Sequence, residues 1–190
     1  MAEKVNLTIE DVDFIFENTP VRVIANRSYP EIALAGIKFG PFKEGEEYEI
    51  VFWAARELEK AGVVRFRQED FLDLVRLHKI HWKERAQTSR QISALPESFY
   101  PKLRRFLMEL RIKALKNPDK MREYEKAVKI SKDIVNCRLR KIVSLASAPT
   151  RILQMLENLT VEEKALYQQL HNTISDWRAR ILSSEKGEEE

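Results

Sequence analysis

A chain of 190 residues, with 44% hydrophobic and 33% charged side chains, is long enough to bury a real core, in one large domain or two small ones. The single cysteine, Cys137, excludes an internal disulfide and indicates a reducing compartment. The first residues do not resemble a signal peptide, and no apolar run approaches the roughly 20 residues that a membrane span requires. We therefore expect a soluble, cytoplasmic protein.

The net charge of +3 conceals an uneven distribution. Residues 1–62 carry 7 basic and 12 acidic side chains, whereas residues 102–151 carry 15 basic and 5 acidic ones. An acidic first part and a basic middle predict different partners for the two parts. The many Lys and Glu residues are also typical of heat-adapted proteins.

The first part of the chain predicts a small β-rich unit. Thr8 followed by acidic residues predicts a short helix that ends near Asn18. Turn-bounded β-branched segments predict strands at 21–25, 32–37, 48–51 and 63–66. A further helix is expected to end at Gly62, where glycine can adopt a left-handed conformation. The aromatic residues Phe39, Phe42 and Trp53 are interpreted as the core of this unit rather than as a docking surface.

The remainder of the chain predicts helices, because no glycine occurs between Gly62 and Gly187 and apolar residues recur at helical spacing. The predicted helices cover about 69–86, 98–116, 119–147 and 160–183. Thr160 and Glu163 have the spacing of a capping box at the start of the last helix. The fold is therefore predicted to be α+β, with a small β-rich domain at 1–66, a larger all-helical bundle at 67–183 and an acidic, disordered tail at 184–190.

Two of these helices carry more apolar faces than an outer helix of a small bundle needs. The helix at 119–147 has one stripe of Met121, Tyr124, Val128, Val135, Leu139, Ile142 and Ala146, and a second of Ala127, Ile130, Ile134, Cys137 and Leu145. The helix at 98–116 has Met108, Ile112 and Leu115 on a second side. Either both helices are central in their own bundle, or another subunit covers one stripe. Four long helices can hardly enclose two of their number, which favours an obligate oligomer. The candidate interface residues are Phe106, Leu110, Tyr124, Val128, Val135, Arg138 and Leu139.

No pattern in the chain predicts catalysis. His78 and His81 are three residues apart on a predicted helix, but no third ligand of suitable type follows them on that face, so we expect solvent-facing side chains rather than a metal site. Glycine-rich phosphate loops, nucleophile elbows and metal-binding cysteine pairs are missing from the sequence. The chain is expected to be no enzyme and to need no cofactor or metal.

The basic middle of the chain is a candidate surface for phosphates or for an acidic partner. Its side chains lie on two predicted helices and include Lys102, Arg104, Arg105, Lys113, Lys116, Arg122, Lys126 and Lys129. Any DNA contact made by this set is expected to be weak and independent of base sequence. The alternative function is a free-standing DNA-binding regulator, in which the helix at 51–61, the strand at 63–66 and the helix at 69–86 form a winged-helix-like unit.

Several segments in order resemble the GINS complex subunits in which the small β-rich domain comes first. These segments are Phe14-Ile15-Phe16-Glu17-Asn18, Val21-Arg22-Val23-Ile24-Ala25-Asn26, Gly40-Pro41-Phe42, Val51-Phe52-Trp53-Ala54-Ala55, Leu95-Pro96-Glu97-Ser98-Phe99-Tyr100, Asp133 to Ile142 with a central arginine, and Asn158-Leu159-Thr160. The chain is similar to the eukaryotic Psf two and Psf three subunits, and closer to Psf two. Its size and composition suggest an archaeal version.

The resemblance implies a non-catalytic scaffold in DNA replication. It implies assembly into a tetramer, either two-plus-two with a homologous GINS subunit or from a single type of subunit. It also implies links to the MCM helicase, to a RecJ-like protein and to primase or polymerase components of the replisome. It also implies a nucleoid-associated location in the cytoplasm.

Overall fold

A computed structural model describes residues 8–67, 71–86, 91–115, 117–148 and 153–183. The elements of these residues, in chain order, are α1 (Ile9–Glu17), β1 (Pro20–Ala25), β2 (Ile32–Leu34), β3 (Ile37–Phe39), β4 (Glu47–Val51), α2 (Phe52–Lys60), β5 (Val64–Phe66), α3 (Leu74–Ala86), α4 (Phe99–Ala114), α5 (Pro118–Ser147), α6 (Leu153–Glu157) and α7 (Val161–Leu182). The predicted α+β class is confirmed, since a small strand-containing part precedes a helical part. The predicted tail at 184–190 lies outside the described residues.

The chain divides into two compact units, which we call the small unit (Ile9–Leu72) and the helical unit (from Asp73 onward). The sequence places the boundary after residue 66, but Phe71 still belongs with the small unit. Its ring packs edge-on against Phe66, with ring centroids 5.0 Å apart. The small unit therefore extends past its last strand.

An antiparallel sheet in the order β4-β1-β5 forms the framework of the small unit. The central strand pairs Val23 with Tyr48 on one side and with Phe66 on the other. Val23 is fully buried because the helices and loops of the unit cover this face of the sheet. The aromatic residues predicted for the core lie there, since Phe39 and Phe42 are buried and Trp53 packs against the Phe39 ring.

The sequence predicts one strand at 32–37, whereas the structure has a two-stranded hairpin of β2 and β3. The chain reverses at Ala35 and Gly36, which have φ angles of 50° and 80°. Two consecutive residues with positive φ form the kind of two-residue turn that joins antiparallel strands. An apolar run with a single glycine hides this turn, because Ala35 is not a typical turn residue.

The helices of the helical unit begin and end close to their predicted bounds, except for α3. This helix begins at Leu74 rather than near residue 69, because the carboxylate of Asp73 accepts a 2.7 Å hydrogen bond from the Arg76 amide and so caps the helix. At the start of α5 the Asn117 side chain accepts from the Asp119 amide at 2.9 Å, and Pro118 occupies the first helical position. The short helix α6 is not predicted by the sequence.

Helix α5 is central in the helical unit, since it packs against α3, α4 and α7. Its inward side carries Ala127, Ile130, Ile134 and Leu145, which are buried. These residues belong to the second of the two apolar stripes predicted for this helix. The second stripe is therefore used inside the chain's own bundle, and so are Ile142 and Ala146 of the first stripe.

Candidate functional site: a buried ion cluster and exposed apolar faces

The largest fully buried side chain of the described residues is an arginine, Arg138, in the middle of α5. It is 1% exposed, and each of its five N–H donors has an acceptor. Nε and Nη2 bind the two carboxylate oxygens of Glu163 at 2.5 and 2.6 Å. Nη1 binds Glu84 Oε1 at 2.9 Å and the Ser93 carbonyl at 2.8 Å, and Nη2 also reaches the Asn158 carbonyl at 3.3 Å. Such saturation is what a buried guanidinium requires.

Arg138 and Lys141 form an ion cluster with Glu84 and Glu163, and Glu163 also belongs to the cap of α7. The capping box predicted from the sequence is present: the Thr160 hydroxyl accepts from the Glu163 amide, and Glu163 Oε2 accepts from the Thr160 amide at 3.0 Å. Its Oε1 also accepts from the Tyr100 hydroxyl at 2.6 Å. Burial, together with the charge of Glu163 and the hydrogen bond to it, raises the pKa of Tyr100 far above its ordinary value, so the phenol remains a donor.

Glu84 is the second carboxylate of the ion cluster. Its Oε2 binds Lys141 Nζ at 2.9 Å, and its Oε1 accepts from the Ser93 hydroxyl as well as from Arg138. Burial alone would raise the pKa of Glu84, but the hydrogen bond from Ser93, the contact with Lys141 and the charge of Arg138 outweigh it and lower the pKa. Burial would lower the pKa of Arg138, but the hydrogen bonds to Glu163 and the charges of Glu163 and Glu84 outweigh it and raise the pKa. The Glu84 carboxylate and the Arg138 guanidinium are therefore both ionised near neutral pH.

The ion cluster joins α3, α4, α5 and the start of α7 through two cations and two anions. Its polar atoms are bound to one another, so the arrangement positions helices and leaves no carboxylate or amine open for acid–base chemistry. The sequence does not predict that Glu84, Ser93, Lys141 and Tyr100 take part in this cluster. One signal was available, because Arg138 lies four residues from both Ile134 and Ile142 and so occupies a core position of the helix.

The outward sides of α4 and α5 are apolar and exposed. On α4, Met108, Ile112 and Leu115 follow the helical repeat and lie in solvent. On α5, Val135 and Leu139 are 40% and 41% exposed. Met121 and Val143 of α5 are also exposed. We call these seven residues the apolar faces of α4 and α5.

The structure separates the predicted interface residues into three groups. Val135 and Leu139 are exposed, whereas Phe106, Tyr124 and Val128 are half-buried. Leu110 is buried and Arg138 is committed to the ion cluster. Leu110 and Arg138 are enclosed by residues of their own chain, so they offer no surface to another subunit. Met108, Ile112 and Leu115, which the sequence predicts as a second stripe, are exposed instead.

The predicted basic contacts also differ in accessibility. Lys113, Arg122, Lys126 and Lys129 are exposed, Lys102 and Arg104 are half-buried, and Lys116 lies outside the described residues. The Arg105 side chain is only 10% exposed, with its Nε 3.9 Å from Glu109. The exposed members all lie on the C-terminal part of α4 or on α5.

The structure does not support the winged-helix alternative. Its elements correspond to α2 and β5, which belong to the small unit, and α3, which belongs to the helical unit. A winged-helix unit requires all three in one compact body.

His81 also differs from its predicted solvent-facing position. Its side chain is mostly buried and its Nε2 lies 3.6 Å from Asp133 Oδ2.

Within the described ranges, no group of three or more His, Cys, Asp or Glu side chains is arranged to hold a metal ion. No helix in that part of the chain is both long enough and apolar enough to cross a membrane.

The fold defines a class: α+β proteins in which a small strand-containing unit precedes a helical bundle. Two family models match these two parts. The PSF2 N-terminal domain matches residues 8–65, and the GINS complex protein helical bundle domain matches residues 71–182. The chain therefore belongs to the GINS complex protein family, as its sequence resemblance predicted.

Curated relatives agree with this membership. The chain is 26% identical over 156 residues to the human DNA replication complex GINS protein PSF2, a match that covers 80% of each protein. It is 27% identical over 153 residues to the Xenopus laevis protein of the same name, again with 80% of each covered. The chain is accordingly a GINS subunit of the PSF2-like type. The predicted archaeal origin stays a prediction.

Proposed function

We propose that this chain is a non-catalytic scaffold subunit that assembles with a homologous GINS subunit through the apolar faces of α4 and α5. The observation that supports it most is the exposure of Met108, Ile112 and Leu115 together with Val135 and Leu139, on helices whose other sides are already buried. A helix that is apolar on two sides is stable in water only if both sides are covered.

The energetic argument follows from the area that these side chains leave in water. Fully burying a Leu, Ile or Met side chain contributes about 1.5–3 kcal/mol, and these residues are roughly half exposed. Covering all seven would then release several kcal/mol, on the order of what stable association needs after the loss of translational freedom. Obligate interfaces have this apolar character.

Wider partners are proposed from the family resemblance. The chain and its homologous subunit form a two-plus-two tetramer. The further partners are the MCM helicase, a RecJ-like protein, and primase or polymerase components. The names of the two curated relatives, which describe a DNA replication complex, support the process but not each partner. A weak, sequence-independent DNA contact by the exposed basic residues of α4 and α5 belongs to the same proposal.

Co-expression with a homologous GINS subunit, followed by mass measurement of the purified complex, tests the assembly. The informative variant is Ile112→Glu combined with Leu139→Glu, which places one carboxylate in each apolar face. Both positions are exposed in the single chain, so the variant should keep its fold while the complex is lost. The matched control is Ile37→Glu, since Ile37 is exposed to a similar extent in the small unit.

A wild-type mass equal to one chain, in the presence of the partner, would contradict the proposal. So would a double variant that assembles as well as the control. Circular dichroism melting of each variant alone separates loss of assembly from loss of folding.

A further inference from the structure

Helix α3 presents an exposed tryptophan at the centre of a basic face. Trp82 is 74% exposed, although tryptophan is usually well buried. His78 and Lys79 lie one turn before it, and Arg85 lies one turn after it. Residues three or four apart are neighbours on a helix surface, so these side chains border the indole ring.

The exposed charges of α3 all have one sign. Its sequence contains four Lys or Arg side chains and a single carboxylate, Glu84, which is buried in the ion cluster. Arg76 lies near Asp73 at the start of the helix. Lys79, Lys83 and Arg85 make no ion pair within the part of the chain that the structure describes. The face around the tryptophan is therefore positively charged.

A flank of α5 extends this basic face. The 3.6 Å approach of His81 to Asp133 places α3 along one side of α5. Lys126 and Lys129 lie seven and four residues before Asp133, and Arg140 lies seven residues after it. All three therefore share that side of the helix, and all three are exposed. From Lys126 to Arg140 this strip extends for about 21 Å along the helix. Val135 and Leu139 project from a different side of α5 than this strip.

We propose that the outer face of α3 and this flank of α5 bind single-stranded nucleic acid, with Trp82 stacking on a base and the surrounding lysines binding phosphates. An exposed aromatic ring among cations is the arrangement that single strands use. Asp133 is the carboxylate of this face, and it lies 3.6 Å from His81 Nε2. An acidic peptide would use the cations but not the flat indole surface. A duplex would hide the base faces that the ring can stack on.

The experiment measures fluorescence anisotropy of a labelled 20-nucleotide oligo-dT, which forms no duplex, with the full chain at low salt. Trp82→Ala should weaken binding about ten-fold, since stacking on one base contributes roughly this much. Trp82→Phe should retain most of the affinity. Trp177→Ala is the matched control, because Trp177 is 62% exposed on α7 and should not matter.

The salt dependence separates phosphate contacts from stacking. Replacing both Lys79 and Lys83 by Gln should lower the slope of log affinity against log salt by about 1.4, from roughly 0.7 per phosphate on a single strand. The change of Trp82 to Ala should leave that slope as it is.

Three outcomes would overturn the proposal. The first is no binding of oligo-dT by the wild-type chain at low salt. The second is an equal affinity of the Trp82→Ala and Trp177→Ala variants. The third is displacement of oligo-dT by poly-glutamate at matched charge with no effect of Trp82→Ala, which would assign the face to an acidic protein. Circular dichroism of each variant verifies the fold.

Discussion

Replacing Arg138 by Met tests whether the ion cluster stabilises the helical unit. Methionine has a similar length and no charge, so it fills much of the space and removes all five donors. Glu163 then loses both of its bonds to the guanidinium, and Glu84 loses one. Glu84 keeps Lys141 and Ser93, whereas Glu163 keeps only uncharged donors, the Tyr100 hydroxyl and a backbone amide.

The expected loss of unfolding free energy comes mainly from Glu163, because Glu84 keeps a charged partner and Glu163 does not. Removing one partner of a buried ion pair costs about 3–5 kcal/mol, because the other charge remains buried without a counter-ion. Two uncharged donors still bind Glu163, so the cost should lie near the lower end, at about 3 kcal/mol. A domain of this kind has a total stability of roughly 5–15 kcal/mol, so the loss is a large fraction of it.

Urea unfolding, followed by circular dichroism at one fixed protein concentration, measures this difference. The matched control is Arg140→Met on the same helix. Arg140 is exposed, and its bonds to described residues are those to the backbone carbonyl of Asn136 and to the Cys137 sulfur. An exposed substitution of this kind should cost less than about 0.5 kcal/mol. Equal, small losses for both variants would refute the reasoning.

The pH dependence adds a second measurement. The pKa of Glu84 is lower in the folded chain than its ordinary value, so its contribution to stability is complete above about pH 4.3 and is lost as the pH falls through the lower, folded pKa. Arg138→Met removes one cause of that lowered pKa. The difference in stability between wild type and variant should therefore narrow as the pH falls below about 4.

Two smaller changes test other features. Tyr100→Phe removes a hydrogen bond to the Glu163 carboxylate and should lower the free energy of unfolding, measured in urea, by about 1.5 kcal/mol. Tyr124→Phe is the control and should lower it little, because the Tyr124 hydroxyl makes no such bond in the described structure. Equal losses for the two variants would argue against the bond. Gly36→Ala should destabilise the small unit by about 1 kcal/mol in thermal unfolding, because the φ angle of Gly36 is 80°. An added Cβ would meet no atom within 4 Å, so the cost comes from the backbone angle and not from a clash. Ala35→Gly should not destabilise the unit.

The helices were predictable because their signals are local. Apolar residues at helical spacing, the Thr160–Glu163 capping box and the proline-marked breaks gave the four long helices close to their observed bounds. Where a local signal is ambiguous, the prediction fails. The sequence predicts one strand across the turn at Ala35 and Gly36, and a helix that already includes Asp73, the residue that caps it.

The apolar faces of α4 and α5 could be found from the sequence, but the ion cluster could not. A repeat along one helix reveals an apolar face without knowledge of the rest of the fold. Glu84, Arg138 and Glu163 are far apart in sequence, so their pairing depends on how the helices pack. Charged residues on helices are usually solvated, which made Glu84 and Lys141 indistinguishable from surface residues.

The ion cluster and the apolar faces are geometrically coupled through α5. Successive residues on an α-helix are about 100° apart, so the direction of one side chain fixes those of its neighbours. With Arg138 held inward by carboxylates from α3 and α7, Leu139 points away from the core, and Val135, one turn earlier, lies on the same exposed side. A purely apolar core would tolerate rotation of α5, because both of its stripes are apolar and either could be buried. A buried arginine with five fixed acceptors removes that freedom, and so keeps Val135 and Leu139 on the exposed side of α5.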